Sequence, residues 1–204
     1  MSLSLQIDGF ADGERIPDAF AFCNPDEMGP NRNPAISWSG APAGTQSYAL
    51  ICLDPDAPST PVDVNKEGRT VAADLPRAPF YHWVRVDIPA AATSIAEGVA
   101  SDRVVPGGAP HGDTGAGVDG INDYTAWFSG DAEMEGHYGG YDGPCPPWND
   151  ERVHRYIFTV YALDLPTLGL SGRFTAAEAL AAMAGHILEE ASWTGTYTLN
   201  PSLR

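Results

Sequence analysis

Apolar residues in this chain recur mostly in short runs that Gly, Pro or Asp interrupt. Each run is rich in β-branched, aromatic or aliphatic side chains, a pattern typical of strands. The runs predict strands at about 3–8, 34–39, 46–53, 81–88, 155–164 and 194–199. The chain is therefore expected to be mainly β, with few helices.

One segment near the C-terminus has a helical pattern instead. Thr175 and Glu178 have the spacing of a capping box, which predicts a helix from about 176 to 191. One face of that helix would carry an apolar stripe, expected to pack on the core. The stripe comprises Leu180, Met183, Ala184, Ile187, Leu188 and Ala191.

Two long stretches, at about 59–80 and 99–142, show neither the apolar pattern of a strand nor that of a helix. The second is part of a segment, 99–150, that holds 11 of the 22 glycines, nine carboxylates and one basic side chain, Arg103. Loops of this length are usually functional or mobile. The pattern leaves open whether the longer one narrows a pocket or makes a subunit contact.

Composition and charge restrict the function classes. A chain of 204 residues with 43% hydrophobic content, five Trp and eight Tyr fits one folded domain spanning 1–204. The net charge of −16 disfavours nucleic acid and docking on anionic membranes as partners. No run approaches the ~18 apolar residues of a membrane span. The N-terminus lacks a basic region and an apolar region, so a cytoplasmic location is expected.

The three cysteines, Cys23, Cys52 and Cys145, form no CxxC pair. An odd count without that spacing disfavours a disulfide framework and a structural zinc site. Cys52 lies within an apolar run and is predicted to be a buried, inert thiol. No cofactor is predicted.

Candidate chemistry begins where the strand predicted at 46–53 ends. Asp54-Pro55-Asp56-Ala57-Pro58 follows this apolar run directly. Side chains at i and i+2 leave an extended chain on the same side, so Asp54 and Asp56 are expected to face one pocket. The prolines hold the turn stiff.

Two later strands begin with histidine. His82 lies near the start of the run Tyr81–Pro89, and His154 follows the stiff loop Gly143-Pro144-Cys145-Pro146-Pro147 at the start of a further apolar run. Three strands that each begin or end with Asp or His near a proline predict one polar pocket.

These motifs in this order resemble the phosphatidylethanolamine-binding protein family, in particular its bacterial and archaeal Raf-kinase-inhibitor-like branch. Asn33-Pro34-Ala35-Ile36-Ser37-Trp38 and the segment from Gly185 to Tyr197 extend the resemblance to nearly the whole chain. It implies a Greek-key β-sandwich of antiparallel sheets with a C-terminal helix. Against the family pattern the stretches 59–80 and 99–142 look enlarged.

The resemblance also implies a site for a small phosphorylated or anionic group, similar to phosphoethanolamine. The ligand-binding residues are then expected to be Asp54, Asp56, Pro58, His82, Gly143, Pro144, His154 and Tyr156. His82 and His154 would donate to phosphate and Asp56 would orient a histidine. Asp54 would accept a hydrogen bond, Tyr156 would form a wall, and the 143–147 loop a rim. Either carboxylate could receive an ammonium group.

The same interpretation predicts binding rather than catalysis, with no catalytic residue and no obligatory metal. Through this pocket the family is associated with kinase regulation and protease inhibition, so a kinase or a protease is the implied partner, and relatives that pair suggest a homodimer. Two alternatives remain: a metal-dependent or acid–base hydrolase that uses the same Asp and His residues, and an interaction protein that acts through the acidic 99–150 segment.

Overall fold

The strands of this protein form two antiparallel sheets. In the computed structural model, which describes residues 2–25 and 27–204, the smaller sheet has the order β1-β2-β5 and the larger one β6-β7-β4-β3-β8-β9. The strands are β1 (Ser4–Ile7), β2 (Ile36–Ser39), β3 (Ser47–Pro58), β4 (Arg77–Pro89), β5 (Ser94–Ile95), β6 (Gly112–Asp113), β7 (Val118–Asp119), β8 (His154–Leu163) and β9 (Ile187–Tyr197).

Three long central strands carry the larger sheet. β3 pairs with β4 on one side and with β8 on the other, and β8 then pairs with β9 along its whole length. The alternating side chains of β3 explain why both faces of this sheet are covered. Leu50 and Cys52 face the smaller sheet, whereas Ala49 and Ile51 face the opposite side.

The helices are few and short. α1 covers Tyr124–Trp127 and α2 covers Ala176–Met183, with 3-10 turns at Asp18–Phe20 and Pro201–Leu203. α2 contributes Ala176, Ala179 and Met183 to the second core, against the outer face of the larger sheet. In the described part of the chain, no helix has the length and apolar character needed to cross a bilayer.

The mainly β prediction and the antiparallel sheets are confirmed. Each of the six predicted strands overlaps an observed one, and the sequence pattern missed the two-residue strands β5, β6 and β7 and the single turn α1. Those elements are too short to generate a periodic signal.

The prediction of a helix from 176 to 191 is wrong beyond residue 183. The Thr175–Glu178 capping box forms as expected, but α2 ends at Met183 and β9 starts at Ile187. Gly185 between them has φ +84°, which turns the chain out of the helix. Pairing with β8 then satisfies the backbone of 187–197, and Ile187 and Leu188 stay exposed instead of entering the core.

The prediction of no disulfide is also wrong. Cys23 and Cys145 are bonded across 122 residues of sequence, while Cys52 is a buried free thiol as predicted. The count and spacing of cysteines could not show this, because the pairing depends on where two distant loops meet in space.

Candidate functional site

A pocket opens toward one end of the larger sheet. Asp54 on β3, His82 on β4 and His154 on β8 lie beside it. Its cavity volume is about 280 Å³, and Asp54, His82, His154 and Tyr156 all line it. The antiparallel pairing of β3 with both neighbours brings these residues together, since Asp54 lies opposite Phe80 on β4. The structure thus places five of the eight predicted ligand-binding residues in one cavity, since Pro58 lines it as well.

His154 is held at both ring nitrogens. Its Nδ1 lies 2.7 Å from Asp54 Oδ2 and its Nε2 lies 3.0 Å from Asp150 Oδ2. Burial opposes the charged imidazolium, but the hydrogen bonds to Asp150 and Asp54 outweigh it and raise the pKa of His154 to about 9. Both nitrogens therefore carry protons and donate to carboxylates. Neither is free for a ligand, in contrast to the predicted donor role.

The charges around His154 alternate in a buried row. Arg77 donates to both carboxylate oxygens of Asp150, at 2.5 and 3.0 Å, and Asp150 in turn accepts from His154. Asp54 ends the row, and its Oδ1 accepts from the backbone N–H of Asp56 at 2.7 Å. Two cations and two carboxylates thus neutralise one another below the cavity. No pattern in the sequence predicts that Arg77 or Asp150 belongs to the site.

His82 is bonded at one nitrogen only. Its Nδ1 lies 2.7 Å from the backbone carbonyl oxygen of Asp142, and because a carbonyl only accepts, Nδ1 carries the proton. Burial outweighs the nearby Asp54 charge and lowers the pKa of His82 below its usual 6.5. Among the described residues Nε2 has no hydrogen-bond partner. At neutral pH this nitrogen presents a lone pair, and below the pKa it presents a proton.

The hydroxyl of Tyr156 is the second group without a partner. Tyr156 is only 1% exposed, and its hydroxyl makes no hydrogen bond to any described residue. Burial and the Asp54 charge raise the pKa of this phenol well above 10, so it stays a donor. A buried, unsatisfied hydroxyl costs about 1–3 kcal/mol unless a ligand or water completes it.

Asp56 points away from this pocket. Both of its oxygens are used by Arg155, at 2.8 and 3.1 Å, and by Arg152 at 3.2 Å. Although burial opposes it, the bonds from Arg155 lower the pKa of Asp56, which is ionised at neutral pH. The expectation that both carboxylates face one pocket is wrong because a register shift between Asp54 and Ala57 interrupts the alternation of β3. Asp54, not Asp56, orients the histidine.

The rim lies slightly further along the proline loop than predicted. Cys145, Pro146 and Pro147 line the cavity, whereas Gly143 and Pro144 support it from behind. The carbonyl of Gly143 accepts from the Tyr124 hydroxyl at 2.8 Å, and that of Pro144 accepts from the backbone of residues 22 and 23. The disulfide to Cys23 adds a covalent link between the rim and the adjoining segment at residues 22 and 23.

Behind the rim lies a buried carboxyl group that the sequence analysis missed. Asp142 accepts from Asn31 and Asn122, each at 2.8 Å, while Asn31 also accepts from the N–H of Gly143. Burial, partly offset by these two bonds, raises the pKa of Asp142 to about 7. This cluster fixes the carbonyl that holds His82.

The remaining wall of the pocket is mainly apolar, with Asn65 as a polar member. It is built largely from the stretches 59–80 and 99–142, which gave no clear pattern in the sequence, and from the segment around residue 22. The apolar and aromatic side chains that line it, apart from the rim prolines, are Phe22, Met28, Val64, Phe80, Tyr124, Trp127 and Phe128. The only signal in the sequence was the presence of large aromatic residues inside otherwise polar, glycine-rich stretches.

The arrangement of His, Cys, Asp and Glu side chains among the described residues does not favour a metal site. Within residues 2–25 and 27–204, no cluster of three or more His, Cys, Asp or Glu residues is arranged to hold a metal ion. The nitrogens of His154 are already bonded to carboxylates.

Comparison with known proteins gives consistent results along the chain. Residues 6–198 match the family model described as phosphatidylethanolamine-binding protein. A UPF0098 protein of Methanothermobacter thermautotrophicus is 35% identical over 195 residues, 96% of this chain and 98% of the relative. The UPF0098 protein YbhB of Escherichia coli is 30% identical and covers 92% of this chain and 94% of its own.

Solved structures agree in fold. A structure from Chlamydia trachomatis, described as a phosphatidylethanolamine-binding protein homologue, superposes with a TM-score of 0.66 at 26% identity, covering 96% of this chain and 97% of that one. YbcL of Escherichia coli gives a TM-score of 0.70 at 23% identity, covering 97% and 99%, which supports the fold alone. The chain belongs to the phosphatidylethanolamine-binding protein family.

Proposed function

We propose that this protein is a non-catalytic binding protein that holds a small phosphorylated or anionic head group, similar to phosphoethanolamine, in the pocket described above. The observation that carries the proposal is the buried Tyr156 hydroxyl, which makes no hydrogen bond to any described residue and lies in the same pocket as His82. Tyr156 offers a buried hydroxyl and His82 a free Nε2, both beside the Asp54 carboxylate. Buried polar groups without partners are rare unless a ligand or water completes them.

A phosphate monoester suits these groups because it both donates and accepts. Its second pKa is about 6, so a protonated form is available near neutral pH. The phosphate would accept from Tyr156 and from His82 once Nε2 is protonated. A P–OH group or an ethanolamine ammonium would donate to Asp54. The His154 imidazolium is paired with Asp54 and Asp150, so it offsets the negative charge of Asp54 and would not itself donate to the ligand.

Catalysis is not favoured by the same geometry. His154 cannot accept a proton from a substrate while both nitrogens donate to Asp54 and Asp150. Cys145 is bonded in a disulfide, and Cys52 is buried with its pKa raised well above 9. Membership of the family fits a binding fold rather than the hydrolase alternative. A kinase or protease partner and a homodimer remain proposals from family resemblance.

The sharpest test is titration of phosphate and phosphoethanolamine into wild type and Tyr156→Phe, followed by NMR of the histidine ring signals. The Tyr156 hydroxyl makes no bond within the described protein, so its removal should leave the melting temperature unchanged or slightly higher. We expect affinity to fall by about 1.5–3 kcal/mol, the scale of a hydrogen bond to a charged group.

His186→Ala is the matched control, because His186 pairs with Asp164 at a half-exposed position remote from the pocket lining. It should leave the affinity unchanged. Absence of saturable shifts in wild type at millimolar ligand would overturn the proposal, as would identical affinity in Tyr156→Phe.

A further inference from the structure

The pocket has two chemically different zones. Its polar groups, Asp54, His82 and Tyr156, are buried and lie together where the central strands meet. The wall toward solvent is mainly apolar, with Asn65 as its polar member, and among the described residues no lysine or arginine lines the pocket. A bare inorganic anion would engage only the first zone and leave the second in contact with water.

The apolar wall is fixed in the folded protein. Asp123 anchors α1 to β4, since its Oδ2 accepts from the N–H of Tyr81 at 2.8 Å and its own N–H donates to the Tyr81 carbonyl. The ring of Tyr124 stacks on Phe22 at 4.5 Å and on Phe128 at 5.7 Å between ring centroids. A wall held in this way loses little conformational freedom when it binds a ligand.

Two large apolar side chains at this wall remain open to water. Met28 is 52% exposed and Trp127 is 47% exposed, and both line the pocket. Exposed apolar surface beside buried convergent polar groups is the usual composition of a ligand site. An apolar body attached to the bound head group would cover both side chains.

The size of the cavity limits that body. An apolar cavity of about 150 Å³ is enough to hold a benzene ring. The present cavity of about 280 Å³ therefore has room for one ring together with a compact head group. Two long acyl chains would extend far outside it.

Resting on the function proposed above, we propose that the pocket selects an amphiphilic monoester with a compact aromatic body, an aryl phosphate. The phosphate would bind at Asp54, His82 and Tyr156, and the ring would lie against Phe80, Trp127 and Phe128. The enlarged stretches 59–80 and 99–142 thereby acquire a role, because they supply these three wall residues.

The experiment compares inorganic phosphate, phosphoethanolamine and phenyl phosphate by NMR titration of the same protein. Burial of the ring should make phenyl phosphate bind at least about tenfold more tightly than inorganic phosphate. Trp127→Ala should remove most of that ratio and leave the affinity for inorganic phosphate unchanged. Trp148→Ala is the matched control, since Trp148 is 41% exposed and does not line the pocket.

The outcomes separate the two proposals. Equal affinity for phenyl phosphate and inorganic phosphate would refute the aromatic preference and leave the head-group site intact. A tenfold preference that survives in Trp127→Ala would refute the placement of the ring. Failure of all three ligands to bind at millimolar concentration would remove both this inference and the proposed function.

Discussion

His82 and His154 lie in the same pocket but are held in opposite ways. Two carboxylates surround His154 and keep it charged, whereas burial keeps His82 neutral although the Asp54 charge and the Asp142 carbonyl favour its protonated form. The first therefore contributes to the stability of the fold, and the second is available to a ligand. The same residue type on β4 and β8 is thus held in two protonation states, set by its neighbours.

The state of His82 predicts the pH dependence of binding. The pKa of His82 lies below 6.5 in the free protein, and a bound anion favours the protonated ring, so binding takes up a proton. Phosphate affinity should rise several-fold as the pH falls from 8 to 6. His82→Gln should bind more weakly and retain only the slope that comes from the ligand's own titration. Identical slopes in calorimetric titrations of the two proteins would contradict the role of Nε2.

The state of His154 predicts a pH dependence of stability. The pKa is about 9 in the folded protein and about 6.5 in the unfolded chain. A raised pKa stabilises the fold fully below 6.5, and the stabilisation is lost as the pH rises through 9. Urea unfolding should show a loss of about 3 kcal/mol between pH 6.5 and 9.5. A free energy of unfolding that stays constant over this range would disprove the buried imidazolium.

Substitution should separate the buried His–Asp cluster from an exposed pair. His154→Gln leaves Asp54 buried without its cation, while Arg77 still pairs with Asp150, and this loss should cost about 3–5 kcal/mol. His186→Ala breaks a half-exposed pair with Asp164 and should cost less than about 1 kcal/mol. Equal losses in urea unfolding of the two variants would show that the cluster is not a buried charge network.

The connection between α2 and β9 shows how one residue fixes the end of an element. An apolar period of 3.6 continues in sequence to residue 191, but the chain leaves the helix at Gly185. A Cβ at Gly185 would meet no atom within 4 Å, so only the backbone conformation resists substitution. Gly185→Ala should therefore cost about 1–2 kcal/mol.

Gly185→Asn is the matched variant, because asparagine tolerates a positive φ better than alanine does. Its melting temperature should lie between those of wild type and Gly185→Ala. Alanine and asparagine variants of equal stability would mean that the turn has another cause.

The disulfide joins two loops rather than two strands. It closes a separation of 122 residues between the segment around Cys23 and the rim at Cys145. A cross-link of that length is expected to stabilise the fold by about 5 kcal/mol through the unfolded chain. Reductant should lower the denaturation midpoint of wild type and leave that of Cys23→Ser unchanged. A wild-type midpoint that does not respond to reductant would contradict the bond.

The disulfide between Cys23 and Cys145 is also relevant to the cellular compartment of the protein. Disulfides persist mainly in oxidising compartments, with intracellular proteins of hyperthermophiles as an exception. The cytoplasmic location expected from the sequence stays a prediction, and the pairing of Cys23 with Cys145 weighs against it.

At the scale of the whole molecule, charge is the dominant property. With a net charge of −16 on 204 residues, the excess carboxylates repel one another in the compact state. At an ionic strength of 0.1 M, screening limits such repulsion to about 10 Å. The melting temperature should therefore rise by several degrees when NaCl increases from 0.01 to 0.5 M. A melting temperature that falls with salt would show that attractive ion pairs outweigh the repulsion.

Much of the fold was predictable because its signals are local. β3, β4 and β8 each form a period-2 or continuous apolar run with Gly, Pro or Asp nearby, so they could be placed to within a few residues. The segment 187–191 could not, because its helical period lost to pairing with β8, which lies more than 20 residues earlier. The short strands and α1 form only where neighbouring segments provide their hydrogen-bond partners.

The sequence by itself determined the long strands, the family and five of the residues that line the pocket, since ordered motifs and periodicity are properties of the chain. Only the tertiary structure decided their roles. A bulge after Asp54 turned Asp56 toward Arg155, Asp150 occupied the second nitrogen of His154, and two distant loops met at Cys23 and Cys145. Each of these outcomes depends on hydrogen-bond partners and packing brought together by folding, and no local pattern encodes them.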